Sequence, residues 1–189
     1  MMVVNLTSNR ARTEPMNYND LMLEDSVLNE SSRKHNFDQP EYDISLLIDR
    51  MKAVMIDMGG IGISAIQLGV PVQVFLMGNP KAPDEIISII NPIIVDIDTE
   101  GIKAFEGCLS FPHLYLNVTR PASIKVRFAD VTGEVHTKTF SGMTARIFQH
   151  EYDHLQGDVM LDKVGAVSLK LAKQKAAKTK KKLSRKSSL

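Results

Sequence analysis

The pentapeptide His150-Glu151-Tyr152-Asp153-His154 constrains the fold more than any other stretch of the chain. On a helix, residues four apart share a face, so both imidazoles reach one metal ion from the same side. Met143, Ile147, His150 and His154 fall on one stripe, which turns the histidines toward the apolar interior. Glu151 follows the first histidine and reaches water at such an ion. The alternative is an exposed helix face whose histidines coincide by chance. A catalytic site of the zinc type takes three protein ligands and leaves one position open. No Glu or His follows His154, and the third histidine of one protease family's extended motif would fall on Met160. Both common protease solutions are excluded, and the third ligand has to come from upstream.

The chain's single cysteine, Cys108, is the candidate. It lies in Glu106-Gly107-Cys108-Leu109-Ser110, after a strand-like segment and before Phe111-Pro112. The alternative for a free cysteine is a small, inert, buried hydrophobe. One cysteine also excludes a secreted disulfide scaffold and fits a reducing cytoplasm. No apolar run approaches the roughly 18 residues of a membrane span. The opening Met1-Met2-Val3-Val4-Asn5 lacks the long apolar core of a secretory signal. The acid-poor stretch with Arg10 and Arg12 leaves an organelle-targeting reading open.

Periodicity divides the rest. Residues 1–40 are polar and weakly periodic, and are expected to form an extended arm or loops, partly disordered. Ile44, Leu47, Ile48, Met51, Met55 and Met58 recur at three- and four-residue steps, the pattern of an amphipathic helix. Asp43 or Ser45 caps it and Gly59-Gly60 ends it. Short β-branched segments follow at Val72–Met77, Ile86–Ile90, Ile93–Ile97, Ile124–Phe128 and Val135–Phe140. Asn79-Pro80, Asn91-Pro92 and Thr132-Gly133 punctuate them, and Asp130 to Glu134 reads as a hairpin turn. A second helix runs from about Met143 to Gln156, stopped by Gly157. The sum is an α+β single domain, residues 41–164, with antiparallel strands around the central HExxH helix.

The tail, residues 165–189, carries nine of the chain's 23 basic residues and no acidic one. The body is therefore acidic, and the overall charge of +1 conceals the division. The tail is expected to start helical and then fray. Val167, Leu171 and Ala172 are its expected anchors to the body.

Gly60-Ile61-Gly62-Ile63-Ser64-Ala65-Ile66-Gln67 is a third distinctive segment. Two close glycines let backbone approach a ligand. It lacks the third glycine, and the preceding strand, of a dinucleotide-binding turn.

In their order, Gly60 to Gln67, Glu106 to Ser110 and Gln149 to His154 resemble the peptide deformylases, over about residues 40 to 163. The resemblance implies removal of the formyl group from N-formylmethionyl nascent peptides. It implies one divalent metal, Fe²⁺ in the cell, replaceable by Zn²⁺, Ni²⁺ or Co²⁺. It puts Cys108, His150 and His154 on that metal and makes Glu151 the general base. The Gln67 side-chain amide and the Leu109 backbone N–H become oxyanion donors, and Ile61, Gly62 and Gly107 line the peptide. Ser64 stands where alanine is usual, and Ile66 where a small residue or proline is common. After Pro112 comes His113-Leu114-Tyr115, without an arginine found in some relatives.

Glu106 is expected to hold the metal loop by pairing with Arg120. The tail is expected to dock on ribosomal RNA, its alternative being a solvated end; no membrane or DNA partner is expected. The rival readings are a metalloprotease, a blue-copper carrier, and a metal-binding adaptor whose tail docks on RNA.

Overall fold

A computed structural model describes residues 21–186. The Arg10 and Arg12 stretch and the first half of the expected arm lie outside the described residues.

Helix α1 (Ile44–Asp57) begins at Asp43, whose carboxylate accepts a hydrogen bond from the Leu46 N–H at 3.0 Å. That satisfies one of the donors every helix start leaves free. Gly59 follows the helix with φ +64°, a conformation that glycine adopts without a Cβ penalty. The predicted stripe is real, since Leu47, Met51, Val54 and Met55 are buried against strands β1 (Gly62–Ser64) and β2 (Val74–Met77).

Strands β3 (Ile87–Ile97), β6 (Ser123–Ala129) and β7 (Val135–Ser141) complete an antiparallel sheet of order β1-β2-β3-β6-β7. The expected break at Asn91-Pro92 is corrected here, because one strand runs through it. The chain absorbs the pair as a bulge, with Asn91 at φ +51° and a register shift between Ile90 and Ile93. Asp130 closes the predicted turn between β6 and β7 by accepting hydrogen bonds from Thr132 and Glu134.

Strands β4 (Gly101–Cys108) and β5 (Phe111–Pro121) form a separate antiparallel hairpin with Leu109-Ser110 at its tip. Burial alternates along β5, with Leu114, Leu116, Val118 and Arg120 inward and Tyr115, Asn117 and Thr119 outward. This places a cation on an apolar face, where it needs partners.

Helix α2 (Gly142–Gln156) ends on Gly157 at φ +80°. Ala145, Phe148 and Leu155 pack on the large sheet, with Phe148 edge-on to Phe75. The other buried residues of the helix meet β1 and the β4–β5 hairpin. Met143 departs from the expected buried stripe, being 60% exposed at the mouth of a cavity.

Helix α3 (Ala166–Lys186) covers a third cluster formed by Leu28, Phe111, Leu114, Leu116, Val118, Val159 and Met160. Its anchors are Leu169, Ala172 and Ala176, at helical three- and four-residue steps. The expected anchors Val167 and Leu171 are exposed, a correction to the sequence reading that leaves Ala172 in place. Residues 21–40 also pack on the body, with Leu21, Leu28, Ser32 and His35 buried.

Candidate metal centre and active site

Three elements converge on one cavity of about 380 Å³. Ile61, Gly62 and Gln67 come from the glycine segment; Glu106, Gly107, Cys108 and Leu109 from the hairpin; His150 and Glu151 from α2. His154 lies one helical turn deeper and is 1% exposed.

One ring nitrogen of His150, one of His154 and Cys108 Sγ lie within 4.8 Å of one another. Cys108 Sγ is 3.3 Å from His154 Nε2. A thiol and two imidazoles at that spacing are the donors a transition metal takes at a three-ligand catalytic site. His154 Nδ1 is buried without a hydrogen-bond partner. The electrostatics point the same way. Burial disfavours charge on both histidines and, with the neighbouring His150, pushes His154 well below its ordinary range, so its ring is neutral, as a ligand requires. At His150 burial is outweighed by Cys108 and Glu106, which raise it well above normal. These residues fit a divalent ion.

Glu106 holds His150. It accepts from Arg120 Nε at 2.6 Å and Nη2 at 2.9 Å, from Arg146 Nη1 at 2.6 Å, and faces His150 Nδ1 at 3.2 Å. A carboxylate only accepts, so Nδ1 carries the hydrogen and Nε2 keeps its lone pair for a metal. Arg120 also donates to Asp153 Oδ2 at 2.9 Å, one helical turn after Gln149. The expected Glu106–Arg120 pair is present and bidentate. Arg146 and Asp153 were missed, because partners on a helix and on a strand leave no common period in the sequence.

Burial raises the Glu106 carboxyl, but the His150 and Arg120 hydrogen bonds and the Arg120 charge overcome it and hold it near 2 against an ordinary 4.5. A depressed carboxyl stabilises the fold fully above its unfolded value and loses that contribution as pH falls. Between pH 4.5 and 2 the loss should reach about 3 kcal/mol, and Glu106→Gln should flatten that acid limb. At pH 7 a cycle of Glu106→Gln, Arg120→Met and the double variant should show coupling above about 1 kcal/mol in denaturant unfolding. Strict additivity would show that the pair does not act as a unit.

Glu151 is 4% exposed, and burial pushes its carboxyl upward. That brings it toward the neutral range in which a base works best. A Cβ on Gly62 would collide with this carboxylate, and one on Gly60 would come within 2.8 Å of Leu109 Cδ1. Gly62 is therefore demanded by close packing against the Glu151 carboxylate, whereas a side chain at Gly60 would need only the end of Leu109 to shift. Gln67 is 1% exposed, and its Nε2 donates to Ser110 Oγ at 3.0 Å and toward Cys108 Sγ at 3.4 Å. Its Oε1 accepts from the Ser64 N–H at 2.9 Å, which fixes which end of the amide faces the centre.

The model of the family described as polypeptide deformylase matches residues 21–170. A chloroplastic peptide deformylase 1B of rice is 41% identical over 143 residues, covering 74% of this chain and 52% of the rice protein. The peptide deformylase of Thermotoga petrophila is 38% identical over 128 residues, covering 68% of this chain and 76% of that protein. Among solved structures, a Synechococcus elongatus peptide deformylase in complex with actinonin superposes with TM-score 0.79 at 28% identity, over 88% of this chain and 90% of that one. A plant peptide deformylase PDF1B superposes with TM-score 0.77 at 34% identity, over 94% and 95%.

Proposed function

This chain belongs to the polypeptide deformylase family, and on that premise we propose how its residues remove the formyl group from N-terminal formylmethionine. The observation that carries the reading is the meeting of Cys108, His150 and His154 beside Glu151 and Gln67 at one cavity. Residues 41–164 form the catalytic domain in this reading.

Cys108, His150 and His154 would hold one divalent ion, Fe²⁺ in the cell, with Zn²⁺, Ni²⁺ or Co²⁺ accepted by the same donors. When bound, that ion would supply Lewis acidity at the site. Glu151 takes the proton of the attacking water and returns it to the amine nitrogen as the C–N bond breaks. Gln67 Nε2, exchanging its long contact with Cys108 Sγ, and the Leu109 N–H donate to the formyl oxygen as it gains charge, each worth about 2–4 kcal/mol at the transition state. Backbone groups of Ile61, Gly62 and Gly107 hold the peptide in extended form. Mass spectrometry of a formyl-Met peptide after incubation tests the reading. Loss of one formyl group with every internal peptide bond intact supports it, and internal cleavage supports the metalloprotease alternative.

The substrates are nascent chains, which places the enzyme where formyl-Met initiation occurs. No helix among the described residues is long and apolar enough to cross a membrane. The single cysteine favours the reducing cytoplasm. The names of the rice and Arabidopsis relatives specify chloroplastic or chloroplastic/mitochondrial proteins, which makes an organelle the second compartment.

The ribosome is the proposed partner of α3. Leu169, Ala172 and Ala176 anchor this helix, and the lysines beyond Ala177 project from it exposed. Removing residues 178–189 should leave turnover of a short formyl-Met peptide unchanged and weaken co-sedimentation with ribosomes. Wild-type binding should fade as salt rises, the signature of phosphate contacts. Equal sedimentation of both proteins at low salt would end the ribosome proposal and leave the active site untouched.

A further inference from the structure

Ser64 is fully buried and stands between the two side chains to which the reaction is assigned. Its hydroxyl donates to Glu151 Oε2 at 2.9 Å, and its backbone N–H donates to Gln67 Oε1 at 2.9 Å. The hydroxyl also lies 3.2 Å from Gln67 Oε1, but it has one hydrogen, and a carboxylate is the stronger acceptor. Among the described residues, Ser64 is the one side chain that hydrogen-bonds the Glu151 carboxylate. On its other side that carboxylate rests against Gly62, where there is no room for a Cβ. The carboxylate is thus clamped between the glycine backbone and a hydroxyl two residues further along the same strand.

We infer that Ser64 is a positioning residue, whose hydroxyl sets the Glu151 carboxylate while its backbone N–H sets the Gln67 amide. One residue therefore fixes base and oxyanion donor in a single register. The inference rests on Glu151 being the base. An alanine here keeps the backbone hydrogen bond to Gln67 and releases only Glu151. The base is then free to leave the orientation in which proton transfer is efficient.

The test is Ser64→Ala in the wild-type and Glu151→Gln backgrounds, with metal content and melting temperature measured beside the kinetics. The expected result is about a tenfold fall in kcat with KM within about twofold, and one metal ion per chain retained. In the Glu151→Gln background the same change should have no further effect, because the residue acts through the base. If Ser64→Ala fails to fold, Ser64→Cys, nearly isosteric and a weaker donor, carries the same comparison. A kcat near the wild-type value, a loss confined to KM, or an equal loss in the Glu151→Gln background overturns the inference. Glu151→Gln with near wild-type turnover would overturn the assignment of the base instead, so the two failures are distinguishable.

Discussion

Glu151→Gln should keep its metal ion and lose turnover by about a thousandfold, within the range set by removal of a general base. Gln matches the shape of Glu, so the contact with Ser64 and the packing against Gly62 survive. It cannot take a proton from water. Because Glu151 lies beside His150 yet contributes no atom to the Cys108, His150 and His154 group, metal content should stay at the wild-type level. Elemental analysis alongside steady-state kinetics checks both halves. Retention of more than about a tenth of the wild-type rate would remove Glu151 from the role.

Cys108→Ala should weaken metal binding by more than about a hundredfold and abolish activity with it. Loss of a partner that merely orients a ligand costs 10–100-fold in metal affinity, so loss of a ligand itself costs more. Cys108 closes β4 at the hairpin tip, and no other cysteine exists to replace it. Cys108→Asp should keep part of the metal with altered selectivity, since a carboxylate is a harder ligand than a thiolate. Competition with a coloured chelator measures the affinity of each variant. Normal metal binding by the alanine variant would show that the third ligand lies elsewhere.

The site was legible in the sequence wherever chemistry and spacing coincide within one element. His150 and His154 are four apart on α2, which fixes their common face before any tertiary contact is known. Cys108 became a ligand candidate because two histidines without a downstream partner need a third donor. Glu106 and Arg120 can be linked from the sequence because the strand-like Leu114–Val118 stretch brings Arg120 back toward the metal loop; that the cation faces inward is seen only in the structure. Arg146 and Asp153, which complete that network, depend on how the hairpin lies against α2. No local pattern encodes that angle. Ser64 was visible only as a departure from the usual alanine, and its role follows from the crossing of the glycine segment over Glu151.

The fold divides in the same manner. Both α1 and α2 were readable from apolar periodicity and their capping residues. Pro92 removes a ladder donor, so the sequence pattern divides β3 in two, whereas the structure accommodates the proline as a bulge. The hairpin β4–β5 is hard to read from the sequence because Glu106 and Arg120 face inward while Phe105 and Tyr115 face outward, which breaks the apolar–polar alternation of a half-buried strand. On α3 several apolar positions compete for the inward face, and only packing against β5 selects Leu169, Ala172 and Ala176.

The most direct measurement is formate release from a formyl-Met peptide by protein purified without oxygen, followed as metal is titrated back into the metal-free enzyme. Turnover should rise in proportion to bound metal and level off at one ion per chain. A protein that carries one ion per chain at this site and releases no formate would contradict the account.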